Sequence, residues 1–187
     1  MSTIALKSPS GTVNLIPEDI AGTHNVTIPS AGVGKVLQVK SFTKTDTFIT
    51  SSTGFIDCGM SLAITPKSVS SKILVMVDLS MGANSLGSGF RISRDGDNTI
   101  AIGDAASLRP LLTGTASGAF TNITYTSFEV SKTFLDSPST ISEVVYSIDV
   151  NKFHSASVTV NRTQADRDTS LYEPRSISTI TLMEIGA

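Results

Sequence analysis

The densest group of chemistry-bearing side chains in the chain is Arg162-Thr-Gln-Ala-Asp-Arg-Asp168, followed closely by Leu171-Tyr-Glu-Pro-Arg175. Arginine and aspartate beside a tyrosine on one loop can hold a glycan. The charged groups hydrogen-bond hydroxyls and the phenol offers a stacking face. Arg162, Asp166, Arg167, Tyr172 and Arg175 are therefore the candidate receptor-binding residues. The plainer reading is a solvated loop whose charges pair with one another or across a subunit boundary, because exposed ion pairs are common and contribute little. A second acidic group, Asp95-Gly-Asp-Asn98, places two carboxylates and an amide in one turn, which could coordinate Ca²⁺ through oxygen. It lacks the other ligands of a twelve-residue calcium loop, and Asp-Gly is a preferred pair for a tight hairpin turn, so a turn is expected there.

The remaining reactive residue types do not converge. His24 and His154 are far apart in the chain, and neither has a partner at metal-ligand spacing. The lone cysteine, Cys58, sits among Ile56, Met60 and Leu62 and reads as a small core residue. No Gly-x-Ser-x-Gly or Gly-x-x-x-x-Gly-Lys-Ser/Thr occurs. The expectation is a protein that is not an enzyme, with no catalytic residue, metal or cofactor. There is no tryptophan, so Tyr125, Tyr146 and Tyr172 are the tyrosines left as sugar platforms.

Composition says what must position these residues. The chain has 51 serines and threonines but only five glutamates, which disfavours exposed helices and favours strands and turns. It is 40% hydrophobic, enough for a real core, and 16% charged with a net charge of −2, which offers no electrostatic footprint for nucleic acid or an anionic membrane. No apolar run approaches bilayer length, so no membrane insertion is expected. The start lacks the pattern of a secretory signal, which implies folding in a cytoplasm and, for work outside a cell, release with a virus particle.

Two regions differ in texture. Residues 1–34 contain short extended pieces, Gly11-Thr-Val-Asn-Leu-Ile-Pro and Gly22-Thr-His-Asn-Val-Thr-Ile-Pro, and end in Gly32-Val-Gly34, which reads as a hinge. Such pieces are too short to bury much alone and are expected to pair with another chain or wrap on a neighbour. From Lys35 to Ala187 apolar alternation is denser. Strands are expected at 35–43, 54–57, 61–65, 72–81, a hairpin over 90–102, 121–133, 144–150, 156–160 and 176–185, with a long Gly/Ala/Ser loop at 103–118. Lys72–Met81 is apolar on both faces in its first half, as in the middle of a sandwich. About ten strands with no amphipathic helix predict an all-β, jelly-roll-like antiparallel β-sandwich (35–187) preceded by a short extended attachment or shaft segment (1–34).

Gly11-Thr-Val-Asn-Leu-Ile-Pro, Asn25-Val-Thr-Ile-Pro-Ser and Gly34-Lys-Val-Leu-Gln-Val resemble the amino-terminal part of fibre proteins of bacteriophages, notably marine and cyanobacterial phages. Thr53-Gly-Phe-Ile-Asp-Cys-Gly-Met-Ser-Leu-Ala-Ile-Thr-Pro, Ser71-Lys-Ile-Leu-Val-Met-Val and the closing Ser176-Ile-Ser-Thr-Ile-Thr-Leu-Met-Glu-Ile are similar to the same group. The resemblance implies a virion protein, a homotrimeric β-structured knob that contacts other phage virion proteins of the tail, baseplate or capsid and adheres to a host-surface glycan or protein. A long tail fibre would carry a far longer shaft. A capsid decoration (cement) protein that stabilises the head is the alternative.

Overall fold

The computed structural model describes residues 12–15, 24–27, 35–83, 87–96, 98–116, 123–153, 156–168 and 171–186. The expected hinge at Gly32–Gly34, His154 and most of the expected attachment segment lie outside the described residues. Strands β1 (Thr12–Leu15) and β2 (His24–Thr27) form a two-stranded antiparallel sheet, with Val13 opposite Val26. These two pieces, expected to pair with another chain or wrap on a neighbour, pair with each other along this ladder.

The body is built from β3 (Val36–Lys44), β4 (Phe48–Thr50), β5 (Ile56–Ile64), β6 (Lys72–Ala83), β7 (Ser88–Arg94), β8 (Asn98–Ile100), β9 (Gly114–Ala116), β10 (Ser127–Asp136), β11 (Val144–Lys152), β12 (Val158–Val160) and β13 (Ser178–Ile185). No helix among the described residues is long and apolar enough to cross a membrane. One sheet runs β10–β6–β13–β3, with the short β12 and β4 continuing the β13 and β3 positions beyond the end of β13. The other runs β5–β11–β7, and β7 then pairs β8 along one stretch and β9 along another. Along the eight strands β3, β5, β6, β7, β9, β10, β11 and β13, every step changes sheet except the step from β7 to β9. That strand order is a jelly roll, two Greek keys wound into a sandwich.

Period-2 alternation places the core. Ile73, Val75, Val77, Leu79 and Met81 of β6 and Ile180 and Leu182 of β13 meet Cys58, Met60 and Ile64 of β5, Val144, Tyr146, Ile148 and Val150 of β11, and Phe90 and Ile92 of β7. All are fully buried or within 1% of it, and aliphatic or aromatic burial on this scale is the main stabilising term. Cys58 is a core residue, as expected, and burial pushes its thiol up to about 12. The Asp95–Gly96 tip is a turn with positive φ at both residues (52° and 87°). The Asp95 carboxylate accepts the Val145 N–H at 2.9 Å while the Asp95 N–H donates to the Val145 carbonyl at 2.8 Å.

Several elements differ from expectation. The two short strands expected at 54–57 and 61–65 are one strand, β5, bent at Gly59 (φ 79°), whose N–H is held by Asp57 Oδ1 at 2.8 Å. Strand β9 lies inside the expected 103–118 loop. Residues 123–125, expected as strand, form a 3₁₀ turn, and β10 begins only at Ser127.

Polar groups are placed where the sandwich cannot be closed by apolar contacts. At one end Tyr146 Oη donates to Asp136 Oδ2 at 2.7 Å, and Arg94 Nη1 reaches both carboxylate oxygens at 2.8 and 2.6 Å. Burial first, and then the Asp136 contact, raise the Tyr146 phenol well above its usual value. Along the seam between β3 and β5, Lys40 Nζ donates to the Ala63 carbonyl at 2.9 Å and Gln38 Nε2 to the Thr65 carbonyl at 2.7 Å. Gln38 also donates to Glu184 at 2.6 Å, and the Lys67 N–H donates to the same carboxylate at 2.7 Å. Burial raises the Glu184 pKa, but the hydrogen bonds from Gln38 and the Lys67 backbone help to outweigh it, so it lies below the usual carboxylate value.

Strand β6 is longer than any one partner along this edge. It pairs β13 over Lys72–Asp78 and β12 over Met81–Ala83, and Asn161 fills the joint. Asn161 is fully buried with φ 60°. Its amide donates to the Lys44 and Asp46 carbonyls at 2.8 and 2.9 Å, and Oδ1 accepts the Ser178 hydroxyl at 2.6 Å. Its backbone N–H donates to the Ser80 carbonyl at 3.0 Å, and its carbonyl accepts the Ser176 N–H at 3.2 Å. Nearby, Gly82 lets β12 close in, since a Cβ there would overlap Thr159 Oγ1 and the Arg162 carbonyl.

Two outcomes follow. Asn161→Ala should lower unfolding free energy by about 3 kcal/mol in urea denaturation, because it removes three side-chain hydrogen bonds at a buried joint and leaves an alanine at positive φ. A loss below about 1 kcal/mol would contradict the role given to this amide. The depressed Glu184 carboxyl contributes stability that is present above its unfolded value, near 4.5, and lost as pH falls through its lower folded value. Glu184→Gln should therefore cost on the order of 1–3 kcal/mol at neutral pH and progressively less under acid, and a cost that stays constant with pH would refute the assignment.

Candidate functional site

The joint at Asn161 sends the chain out of the sheet and receives it back at β13, so the 162–177 loop is tethered at both ends. Its backbone is fixed further by the Ala165 N–H donating to the Thr124 carbonyl at 3.0 Å and the Asp166 N–H to Thr163 Oγ1 at 3.2 Å. Asp166 itself has φ 46°, a left-handed conformation that aspartate tolerates better than most residues.

The five candidate receptor residues divide into two groups. Asp166 bridges two arginines: Arg175 docks in bidentate fashion, Nε to Oδ1 at 3.2 Å and Nη2 to Oδ2 at 2.9 Å, while Arg162 Nη1 reaches Oδ2 at 3.1 Å. Arg167 turns elsewhere. Its Nε meets Glu173 Oε1 at 2.5 Å, and its guanidinium lies 4.5 Å from the centroid of the Tyr125 ring. The Glu173 contact raises the Arg167 pKa above its ordinary value, and the Asp166 contact does the same for Arg175. Tyr172 is 83% exposed, beside Leu171 at 98%.

Most of the loop's charge is thus spent on its own shape. Glu173, not among the five candidate residues, is the organising carboxylate. Its side chain is fully buried, and it also accepts the Arg167 backbone N–H at 2.7 Å and the Thr163 hydroxyl at 3.4 Å. Only its place six residues after an arginine hinted at this. Of the three tyrosines considered as sugar platforms, Tyr146 is fully buried in the core and cannot serve, and Tyr125 is half-covered by Arg167. Tyr172 alone projects. The result is a stiff, ion-paired pedestal with an apolar and aromatic tip. Among the described residues no group of three or more His, Cys, Asp or Glu side chains could hold a metal ion.

A second concave feature lies on the outer face of the β5–β11–β7 sheet. It is a cleft of about 440 Å³ lined by Thr53, Phe55, Leu108, Pro110, Asn151, Lys152 and Phe153. The 101–113 loop forms one wall. Gly89 lets this loop lie flat on the sheet, since a Cβ there would come 2.7 Å from Leu112 Cδ1.

No family model matches the chain, and no curated protein matches it. Among solved structures, it is similar to a chain of the infectious bursal disease virus Gx strain, with 11% identity, 94% of this chain and 45% of that chain covered, and a TM-score of 0.37. It is also similar to the VP2 subviral particle of infectious bursal disease virus, with 9% identity, 94% and 46% covered, and a TM-score of 0.36. The chain spans less than half of the length of those chains.

Limited proteolysis reads the order of this loop directly. Native protein should resist trypsin at Arg167, whose backbone N–H is pinned to Glu173. Glu173→Ala should open the 162–175 loop and expose that bond while the sandwich stays folded. Equal resistance of the two proteins would remove Glu173 from its organising role.

Proposed function

We propose that this chain is a structural protein of a virus particle, a homotrimeric knob that binds a host surface without catalysing a reaction. The observation that carries the reading is the outer face of the β10–β6–β13–β3 sheet. Register sets Val39 opposite Met183, Met183 opposite Leu74 and Leu74 opposite Leu135, so one apolar row crosses four strands. These residues point away from the core, and Val39 and Leu135 are 54% and 46% exposed. Val36, also half-exposed, pairs with Ile185 at one end of the row. Around it the face is mostly threonine and serine, Ser41, Thr181 and Thr133 among them, with the exposed charges Lys72, opposite Ile185, and Asp78, opposite Thr179, at its borders.

A flat apolar row in solvent is what a sheet shows when another subunit is to cover it. Sheets stack face to face at about 10 Å, which suits such a row against the same surface region of a sister copy or a neighbouring virion protein. The jelly roll is an architecture of viral capsid and lectin domains, and both assemble or bind through surfaces rather than deep catalytic clefts. The number of copies, three, comes from the fibre-like sequence pieces. The separate β1–β2 ribbon supports attachment, because a two-stranded hairpin is marginal by itself and gains from docking on a partner.

Adhesion is the use we assign to the loops. The 162–175 pedestal offers Tyr172 and Leu171, and the 103–116 loop offers Leu108, all on a rigid scaffold where binding surfaces are normally carried. Three copies would add avidity to modest single-site affinity. The expected surface ligand is a host glycan, and residence is on the virion.

Light scattering coupled to size exclusion tests the assembly on which the reading stands. The native protein should elute with the mass of three chains. Val39→Glu combined with Leu135→Glu, both at exposed positions, should yield folded single chains. A native single chain, or a trimer indifferent to both substitutions, would count against the reading.

A further inference from the structure

We infer, building on the virion reading above, that the corner where β13 ends between β3 and β6 docks an acidic segment of a neighbouring virion protein. Three exposed lysines, Lys35, Lys67 and Lys72, and two exposed valines, Val36 and Val69, form this surface.

Backbone pairing brings the five together. Ile185 of β13 lies opposite Val36 on one side and Lys72 on the other. The Gly186 N–H donates to the Lys35 carbonyl at 2.8 Å. The Lys67 N–H is held by Glu184, and Lys67 Nζ donates to the Leu37 carbonyl at 3.3 Å. Val69 lies two residues beyond Lys67, on the turn that leads into Lys72. Neighbouring strands are about 5 Å apart, so the three lysines surround the end of β13 within reach of one extended segment.

Charge at this corner is not used up internally. Arg91, Arg94, Arg162, Arg167 and Arg175 are each ion-paired. Among the described residues none of the three lysines is. The Glu184 carboxylate is fully buried and already accepts from Gln38 at 2.6 Å and from the Lys67 N–H at 2.7 Å. One exposed acid, Glu143, sits just before the Val144–Ile64 pair at the same end of the sandwich. Cations therefore prevail locally on a chain whose net charge is −2. A positive patch draws in an anionic partner and steers its approach.

The neighbouring groups select a protein segment as the occupant. Val36 and Val69, 51% and 61% exposed, suit an aliphatic side chain set among acidic ones. The patch holds no arginine fork and no stacking ring, which phosphates and bases favour. Strand addition is blocked at the adjoining β3–β5 seam. Lys40, Lys67 and the Gln38 amide cap the Ala63, Leu37 and Thr65 carbonyls, so the occupant must bind through side chains. The position also fits attachment. Residues 1–34 join the body at Lys35, and β13 runs from Ser178, beside the 162–177 loop, to Ile185 here, about 24 Å away. The attachment segment and the adhesive loop thus lie at opposite ends.

The test is fluorescence anisotropy of a labelled synthetic peptide of glutamates interrupted by leucines, titrated with the full chain. Duplex DNA and phosphatidylglycerol vesicles serve as separate probes. The peptide should bind, more weakly as salt rises, and should shift the backbone amide resonances of Val36, Lys67 and Lys72. Lys35→Glu combined with Lys72→Glu, both at exposed positions, should weaken binding about ten-fold. Val69→Asp should weaken it as well. Lys132→Glu, at an exposed lysine of β10, should leave it unchanged. Peptide that does not bind, binding indifferent to the double reversal, or binding lowered equally by Lys132→Glu would overturn the corner. DNA or vesicles held as tightly as the peptide would overturn the protein segment as occupant. Light scattering on the same samples reads the assembly separately. Three chains without peptide binding would strike the corner alone, whereas single chains that bind the peptide through these lysines would support the corner and strike the homotrimer.

Discussion

One edge of strand β6 has to be shared. Its twelve residues outrun β13, and β12 supplies the remainder, so the ladder is interrupted beside Ser80. An interruption inside a sandwich leaves backbone groups without partners, and such groups are expensive where water is excluded. Asn161 resolves this by using all its polar groups at once, joining the β3–β4 bend, β6 and the start of β13. Only a short amide side chain that tolerates positive φ meets both demands. The 162–177 loop leaves the sheet at this residue and returns within a few positions of it. The ion-paired pedestal is therefore anchored at its base by the buried Asn161 amide and held within the loop by the buried Glu173 carboxylate.

The sandwich was legible because one physical signal dominates it. Ile73, Val75, Val77 and Leu79 alternate on a strand buried at every second position, and their partners on β11, Val144, Tyr146, Ile148 and Val150, repeat the same period. Period-2 burial survives in sequence without knowledge of the partner strand. The closing strand, expected over 176–185, lies between β3 and β6 as β13. Of the three-residue strands, β8 and β12 fall within stretches expected as strand, whereas β4 and β9 were not legible. β4 and β9 exist because a neighbour pairs them, and Phe48-Ile-Thr or Gly114-Thr-Ala carries too few alternations to announce it. Residues 123–125 show the converse error: Ile123 and Tyr125 alternate as a strand would, yet form a 3₁₀ turn, one of whose carbonyls, that of Thr124, receives the 162–177 loop.

The site was legible by composition and not by role. Arg162, Asp166, Arg167 and Arg175 stood out as a charged cluster, and the structure joins them in two ion-paired groups, which matches the plainer reading of that segment. What the sequence could not give was the identity of the buried carboxylate, Glu173, or the loss of Tyr146 to the core, because both depend on where the chain returns. The Phe55–Phe153 cleft was equally hidden. Its residues come from three separate stretches, near 53, 108 and 152, brought together only by the register of β5, β11 and the loop lying across them.

Period-2 burial closes the interior, and ion pairs and backbone hydrogen bonds hold the loops. These explain why the chain folds. The apolar row across the outer face of the β10–β6–β13–β3 sheet is unexplained by folding alone and is the surface proposed for assembly. The most direct measurement is cryo-electron microscopy of the particle on which the chain resides in its native source. Three copies around a threefold axis on a virus particle, with Val39, Leu74, Leu135 and Met183 covered by protein, is the result expected. Dispersed single subunits with that row facing solvent would contradict the account.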